Sequence, residues 1–427
     1  MPIEHPQRNT NPGSFEMKTE VESLRRNYYI LILAMISMQV TVSTIYMVLP
    51  IFFKNHGISV SSNGVLISAG TFAGIFSSLI AGRLSDTRGR KPVLLFGVTV
   101  YALVFFLFAM LGKDFNTFFI LRFIEGFSFY MTPVAITAIA ADSFPARDRG
   151  KAMALYSMAG GVGQFFGPIV AGLFIDVADF TSYFIFCGVF VAISAGVILL
   201  FVGETLPPES KGVKGDDPRG GFDIKRLWSM LKGLGVFVGI YLTAILFQRL
   251  GYTMVNPFLS LYLEEELGLN MTGMSFFFAV RALCTLVFSP LAGILADRYG
   301  RKPVFLLGSF SLAATMIGYR QATSYELVLA TRVTESTSNA ILVPTMRAYI
   351  ADLISPEVRG FGMGLYTTII EESSTFGALL GGAVAESYGF GGIFLSAAVT
   401  SATSAIIVLL KVPEPKKILA TAGSTGS

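Results

Sequence analysis

Apolar stretches about twenty residues long recur from one end of this chain to the other, separated by short polar turns, and nothing else constrains its fold as strongly. Twelve are read, at about 28–52, 62–82, 92–111, 117–140, 152–175, 182–203, 233–262, 271–295, 303–319, 327–350, 361–386 and 391–410. A helix rises about 1.5 Å per residue, so about twenty residues cross the roughly 30 Å hydrocarbon layer, whereas a strand needs only about ten. Lipid offers the backbone no hydrogen-bond partner, so each stretch must satisfy its own amides as a helix. Composition agrees: 53% of residues are hydrophobic and 14% charged, with mean hydropathy +0.64, where a soluble domain devotes about a quarter to charge. The expected class is an all-α polytopic membrane protein. About 25 mostly polar residues precede the first stretch, which lacks a cleavage pattern and is too long for a signal-peptide core, so it is expected to be retained.

Basic residues are unevenly shared between the two sets of loops. Arg25, Arg26, Arg83, Arg88, Arg90, Lys91, Arg147, Arg149, Lys151, Arg298, Arg301 and Lys302 fall on one side, while Lys54, Lys113 and Arg320 fall on the other. The positive-inside bias then predicts both termini in the cytoplasm, in a cell membrane. A net charge of +4 distributed this way calls for no nucleic-acid partner. Cys187 and Cys284 lie inside apolar stretches with no ligand or redox spacing, and His5 and His56 have no ligand partners, so neither metal nor cofactor is expected.

The chain repeats itself. "GRLSDTRGRK" at 82–91 is answered by "GILADRYGRK" at 293–302, "RFIEG" at 122–126 by "RVTES" at 332–336, and "ADSFPARDRG" at 141–150 by "ADLISPEVRG" at 351–360. Motifs kept in order at nearly one offset mean two related halves. These are read as six-helix bundles at 1–204 and 231–427, joined by the Pro, Gly and charge-rich linker 205–230. An even number of spans per half makes the repeats parallel.

These features together resemble the major facilitator superfamily, over nearly the whole chain. The loop signature G-x-L-[AS]-D-R-x-G-R-[RK] is matched by Gly293, Asp297, Arg298, Gly300 and Arg301, and by Gly82, Asp86, Gly89 and Arg90, with Thr87 in place of the first Arg. The resemblance implies a gating role: Asp86 approaching Gly360 to Gly364 with Arg149 or Arg90 as partner, and Asp297 working against the fifth helix near Lys151. In the fourth span, Arg122 and Gly126 match the family's R-x-x-x-G, which implies an influence of Arg122 on proton transfer. Gly163, Gly167, Pro168 and Gly172 fit the fifth-helix antiporter pattern, with Ala171 replacing a Gly. That pattern accompanies efflux by exchange with protons.

Ionisable groups inside spans are costly and mark candidate sites. Arg122 and Glu125 share a helical face. In the second half, Glu371 lies about 15 Å into its helix and Arg281 about 15 Å into its own, both near the bilayer midplane. Glu371 and Glu372 point about 100° apart, so one can face a cavity while the other meets a neighbouring helix or an Arg such as Arg281 or Arg347. Adjacent carboxylates also make one proton hard to remove, as a proton-coupled carrier requires. Gln39, Ser43, Tyr46, Gln248, Tyr252 and Asn256 add polar faces, beside phenylalanines such as Phe129 and Phe276 to Phe278.

No nucleotide loop G-x-x-x-x-G-K-[ST] and no nucleophile, base and acid constellation occur, so an enzyme is not expected. The expected function is proton-coupled export of lipophilic or amphipathic small molecules by a functional monomer with membrane lipid around it. The alternative is a proton-coupled carrier of an organic anion or phosphorylated metabolite, with Arg281 as the anion ligand.

Overall fold

The computed structural model describes residues 12–206 and 230–415 except Gly112 and Lys232, with side chains from Ser23 onward; the 205–230 linker assignment lies almost wholly outside the described residues. Every described element is helical. In chain order the long ones are α1 Pro12–Val42, α2 Ile45–Lys54, α3 Val60–Arg88, α4 Arg90–Met110, α5 Phe115–Ser143, α6 Arg149–Val177 and α7 Phe180–Phe201. After the linker come α8 Val236–Val255, α9 Leu259–Glu265, α10 Met271–Tyr299, α11 Arg301–Gln321, α12 Tyr325–Leu353 and α13 Arg359–Lys411.

Nine segments among the described residues are long and apolar enough to cross a membrane. One, Pro356–Lys411, is a pair of helices joined at Gly389, whose φ of 66° lies outside the helical region. The α11 and α12 helices match the expected ninth and tenth stretches in length but are less apolar, α12 because it carries Arg332, Glu335 and Arg347. The expected first and seventh stretches are each broken. A turn after Val42 separates α1 from α2, and a 3-10 turn at Asn256–Phe258, where Pro257 removes an amide donor, separates α8 from α9.

Local sequence accounts for where helices begin. Side chains of Ser59, Asp114, Asp179, Asn270 and Ser324 accept backbone N–H groups of the first turns of α3, α5, α7, α10 and α12. All five caps lie at one end of the bundle, that of His56. At the other end Gly89 (φ 117°) and Gly300 (φ 99°) let α3 and α10 turn directly into α4 and α11, a backbone conformation that other residues resist. The end holding these two loops is the motif end below.

Within the first part α3 packs on α5, α4 on α5 and α7, and α1 on α6 and α7; the second part repeats this with α8 on α13, α11 on α12 and α13, and α10 on α12. The two parts meet through α3 against α13 and α6 against α10. Buried apolar side chains form two clusters. The larger runs through the first part and continues, through Met254, Phe258, Phe277 and Phe394, into the second part. The smaller, with Leu234, Tyr241, Phe305, Tyr349 and Val412, belongs to the second part alone. Leu33, Leu79, Ile120, Ile193, Leu286 and Leu307 stand exposed on the outer surface, as lipid-facing residues must. The chain is a multi-pass membrane protein.

Candidate functional site

The first part meets the second around a cavity of about 290 Å³ lined by Gln39, Ser43, Tyr46, Phe129, Gln164 and Pro168 from one side and by Asn256, Phe278, Arg281 and Arg332 from the other. A smaller hollow of about 150 Å³ adjoins it, sharing Tyr46 and Phe129 and reaching Gly70, Arg122, Glu125 and Tyr130. Tyr46 stands where the two meet, and its hydroxyl is within electrostatic reach of Arg122, Glu125, Glu371 and Arg281.

Two of the arginines here are already neutralised. Arg122 pairs with Glu125 in an almost fully buried contact and donates from Nε to Leu66 O at 3.3 Å. Arg332 pairs with Glu335 at 2.6 Å and donates from Nε to Phe277 O at 3.4 Å, with Tyr319 adding a 3.0 Å hydrogen bond to the same carboxylate. The pairs are counterparts in the repeat, down to the carbonyl each arginine holds. A buried pair closed this way sits at low cost only because both charges are bonded.

Arg249 and Arg281 are different. Each guanidinium lies over the Tyr252 ring, at 5.1 and 5.6 Å, and neither has a carboxylate partner among the described residues. The Tyr252 hydroxyl and Arg249 Nε are buried without a hydrogen-bond partner. Glu371 is exposed and looks across the gap, with Tyr46 and Tyr130 of the first part and Arg249 of the second in electrostatic reach. Glu372, one residue on, has none of these neighbours. No basic group pairs with either glutamate among the described residues, so the ion pairs to Arg281 and Arg347 weighed from sequence are not made.

Other expected residues are placed differently. Gln248 is buried and donates to Ser401 Oγ at 3.3 Å, turned from the cavity into the packing of α8 on the end of α13. The Ser43 hydroxyl is tied to Val40 O and Gly163 O, at 2.7 and 2.8 Å, which fastens α1 to α6. Gly163 and Gly167 lie where a Cβ would come within 2.4 Å of Gln39 and 2.0 Å of Ser43, so they are close-packing positions; Gly172 similarly abuts Met271 O of the other part. Pro168 alone of this motif reaches the cavity wall. Phe276 is exposed outward, and Phe277 is buried under Arg332.

At the motif end the expected contact of Asp86 with the other part is not formed among the described residues. Asp86 pairs with Arg90, which continues to Asp142 at 3.2 Å, and Asp297 pairs with Arg301 at 2.9 Å, which continues to Asp352 at 3.0 Å. All these partners lie in the residue's own part. Arg149 bonds Phe144 O and Ala141 O and does not reach Asp86, while Arg298 lies over the Tyr299 ring; Gly82, Gly293, Gly360 and Gly364 face open space. Two acids missed from sequence complete the loops, one in each. Glu204 accepts the backbone N–H of Arg90 at 2.9 Å, and Glu414 accepts that of Arg301 at 2.8 Å, capping α4 and α11. Their spacing of 210 is that of the "ADSFPARDRG" and "ADLISPEVRG" strings, a signal available in the sequence.

At the opposite end the parts are bonded to each other. Asp176 accepts from Met271 N at 3.2 Å and Thr272 N at 2.7 Å, and Glu386 accepts from Ser61 N at 2.7 Å, so each part's carboxylate caps a helix of the other. Lys54 reaches Glu264 and Glu265, both at 2.9 Å. No group of His, Cys, Asp and Glu able to hold a metal occurs among the described residues, and both cysteines are buried and free.

A cavity between two repeated helical parts that are bonded to each other at one end is a carrier's geometry. The Major Facilitator Superfamily description matches residues 31–249 and 241–425. The chain belongs to that superfamily. It is a transporter of this superfamily and not an enzyme. Among similar proteins are the multidrug resistance protein MdtG of Proteus mirabilis, 26% identical with 88% of this chain and 94% of that protein covered, and multidrug resistance protein 2 of Bacillus subtilis, 24% identical with 86% and 90% covered. Solved structures of the same fold include the nucleoside transporter NupG, with TM-score 0.74 at 14% identity over 91% of this chain and 98% of that one. The human organic anion transporter MFSD10 follows with TM-score 0.62 at 19% identity over 90% of this chain and 99% of that one.

Proposed function

We propose that this chain exports lipophilic or amphipathic small molecules in exchange for protons, by alternating access between two six-helix halves, 1–204 and 231–427. Twelve crossings result when the segment through Gly389 counts as two and α11 and α12 are included. The family match over two successive ranges supports the halves, and the names of the multidrug-resistance relatives support the substrate class and direction. The bias of Arg and Lys toward the motif end supports a cytoplasmic position for that end and for both termini. The unit is a monomer, since the path lies within one chain.

One observation carries the reading. Glu371 has no basic partner among the described residues and lies within electrostatic reach of Tyr46 on the wall of a cavity built from both parts, so its charge can be held by a proton in one state and by a substrate in the other. Arg122 and Glu125, in the adjoining hollow, form a second site through which a proton can communicate with Tyr46. Exchange requires that proton and substrate exclude each other at Glu371. Closure of the motif end would bring Asp86 toward Gly360 to Gly364 and Asp297 toward Lys151, in place of the pairs each now makes at home.

Purified protein in proteoliposomes with an interior pH dye tests this. Addition of lipophilic compounds should produce proton movement opposed to substrate movement, abolished by Glu371→Gln, while exchange of labelled for unlabelled substrate survives in part. Proton and substrate moving together, or substrate flux indifferent to pH, would overturn the exchange.

A further inference from the structure

Unneutralised charges of both signs stand on separated groups at and near the cavity. Its closed pairs, Arg122 with Glu125 and Arg332 with Glu335, offer a ligand little, because their charges already satisfy each other. What remains is Glu371, within electrostatic reach of Tyr46 on the cavity wall, and Arg281 on that wall with Arg249 over the same Tyr252 ring. Arg281 has no acceptor of its own among the described residues, and the Tyr252 hydroxyl is a buried donor without a partner in a side chain only 6% exposed. A guanidinium on a tyrosine face, with unmet donors beside it, is prepared for an oxyanion, since burying such donors unbonded is costly.

We propose that this cavity is a two-ended site for zwitterionic amphiphiles: Arg281, backed by Tyr252 and Arg249, takes the anionic end, Glu371 takes the cationic end, and Phe129 and Phe278 hold the apolar body. The assignment rests on the exporter reading and narrows its substrate class. It also keeps the exchange consistent. A cationic group at Glu371 favours the ionised carboxylate and so displaces its proton, whereas an anion alone, competing with Glu371 for the field of Arg249, would favour proton uptake and move with it. Only a ligand carrying a cation can be driven by exchange, and only one that also carries an anion uses Arg281.

Calorimetric titration of the full chain in lipid nanodiscs tests the two ends separately, with three probes sharing one phenylbutyl tail: a trimethylammonium, a carboxylate and a carboxybetaine bearing both groups. The betaine should bind about tenfold more tightly than either single-headed probe, one charge-assisted hydrogen bond supplying at least that. Arg281→Gln should remove that advantage over the ammonium while leaving the ammonium's affinity in place, and Arg281→Lys should restore part of it. Glu371→Gln should weaken the ammonium and the betaine but not the carboxylate. Thermal unfolding of each variant separates misfolding from lost recognition. Equal affinity of ammonium and betaine in the parent protein, or a betaine affinity unchanged by Arg281→Gln, overturns the assignment. Failure of proton exchange with a betaine that binds as stated would instead overturn the exporter reading alone.

Discussion

The two ends of this molecule carry similar chemistry put to different use. At the end of His56, the carboxylates of Asp176 and Glu386 cap helices belonging to the opposite part, and Lys54 is bonded across to Glu264 and Glu265. At the motif end, Asp86, Asp142, Glu204, Asp297, Asp352 and Glu414 all bond within their own part. Apolar packing divides the same way, with one cluster continuing between parts and the other confined to the second part. A carboxylate at a helix N-terminus holds two parts together only if it and the amides lie on different parts. Sequence near the loops decides which groups are charged, but the pose of the two parts decides which of them hold the closed end.

Breaking the closed end should have the largest effect. At Gly64 an added Cβ would lie 2.5 Å from Ala378 O, so Gly64→Val forces α3 from α13 against an unyielding backbone atom. Overpacking of this kind costs about 1–3 kcal/mol. Transport should fall about tenfold or more, with the membrane-inserted amount unchanged. Spin-label distances across the closed end should lengthen, and unchanged distances would remove α3 against α13 as the closing surface.

Removing the helix clamps should come next. Asp176→Asn with Glu386→Gln keeps shape and loses charge at two helix N-termini, about 1 kcal/mol each. The same label pair should show a population with the closed end open, at several-fold higher occupancy than in the parent. A single distance distribution identical to the parent's would make the two carboxylates incidental caps.

At the motif end the pose described leaves Asp86 unbonded to the other part, so Asp86→Asn should spare it and affect the pose with that end closed. Substrate affinity should stay within about twofold while the transport rate falls several-fold. Equal losses in both would count against a gate. Lys54→Ala should matter least among the substitutions, because pairs this exposed contribute about 0–1 kcal/mol and are screened by salt. Its effect on the label distances should vanish in molar salt.

The motif end also carries a small pH-dependent term. Hydrogen bonding from Lys151, aided by Arg147 and Arg25, holds the Asp148 carboxyl below its ordinary value. A lowered carboxyl stabilises the structured form above its ordinary pKa and loses that contribution as pH falls through the lowered value. Amide exchange at residues 149–152 should therefore quicken only at the acid end of a titration, by a small factor, with Lys151→Ala removing the dependence.

Much of the fold was legible. Regular apolar stretches located the helices within a few residues, and the Gly89 and Gly300 loops announced their turns. Breaks at Ser43 and at Asn256–Phe258 were not, because apolar content continues around both, whereas the division at Gly389 falls between the stretches read at 361–386 and 391–410. The site was legible in part. Tyr46, Asn256 and Arg281 were chosen as polar groups in spans and do line the cavity, but Gln248 was chosen on the same ground and faces Ser401. Polarity inside a span says that a side chain needs a partner and not which neighbour supplies it.

By itself, then, the sequence determined a helical membrane chain, its repeat, its loop turns and the inventory of charges within the spans, because those depend on hydrophobic length and local backbone preference. Tertiary structure decided which charges are closed and which remain for a ligand. Arg122 and Arg332 have a glutamate three residues on, within reach on the same helix, so their pairing needs only the helix. Arg249, Arg281 and Glu371 sit on three different helices, and only the packing of those helices could bring both arginines over Tyr252 and put Arg281 and Glu371 within electrostatic reach of Tyr46.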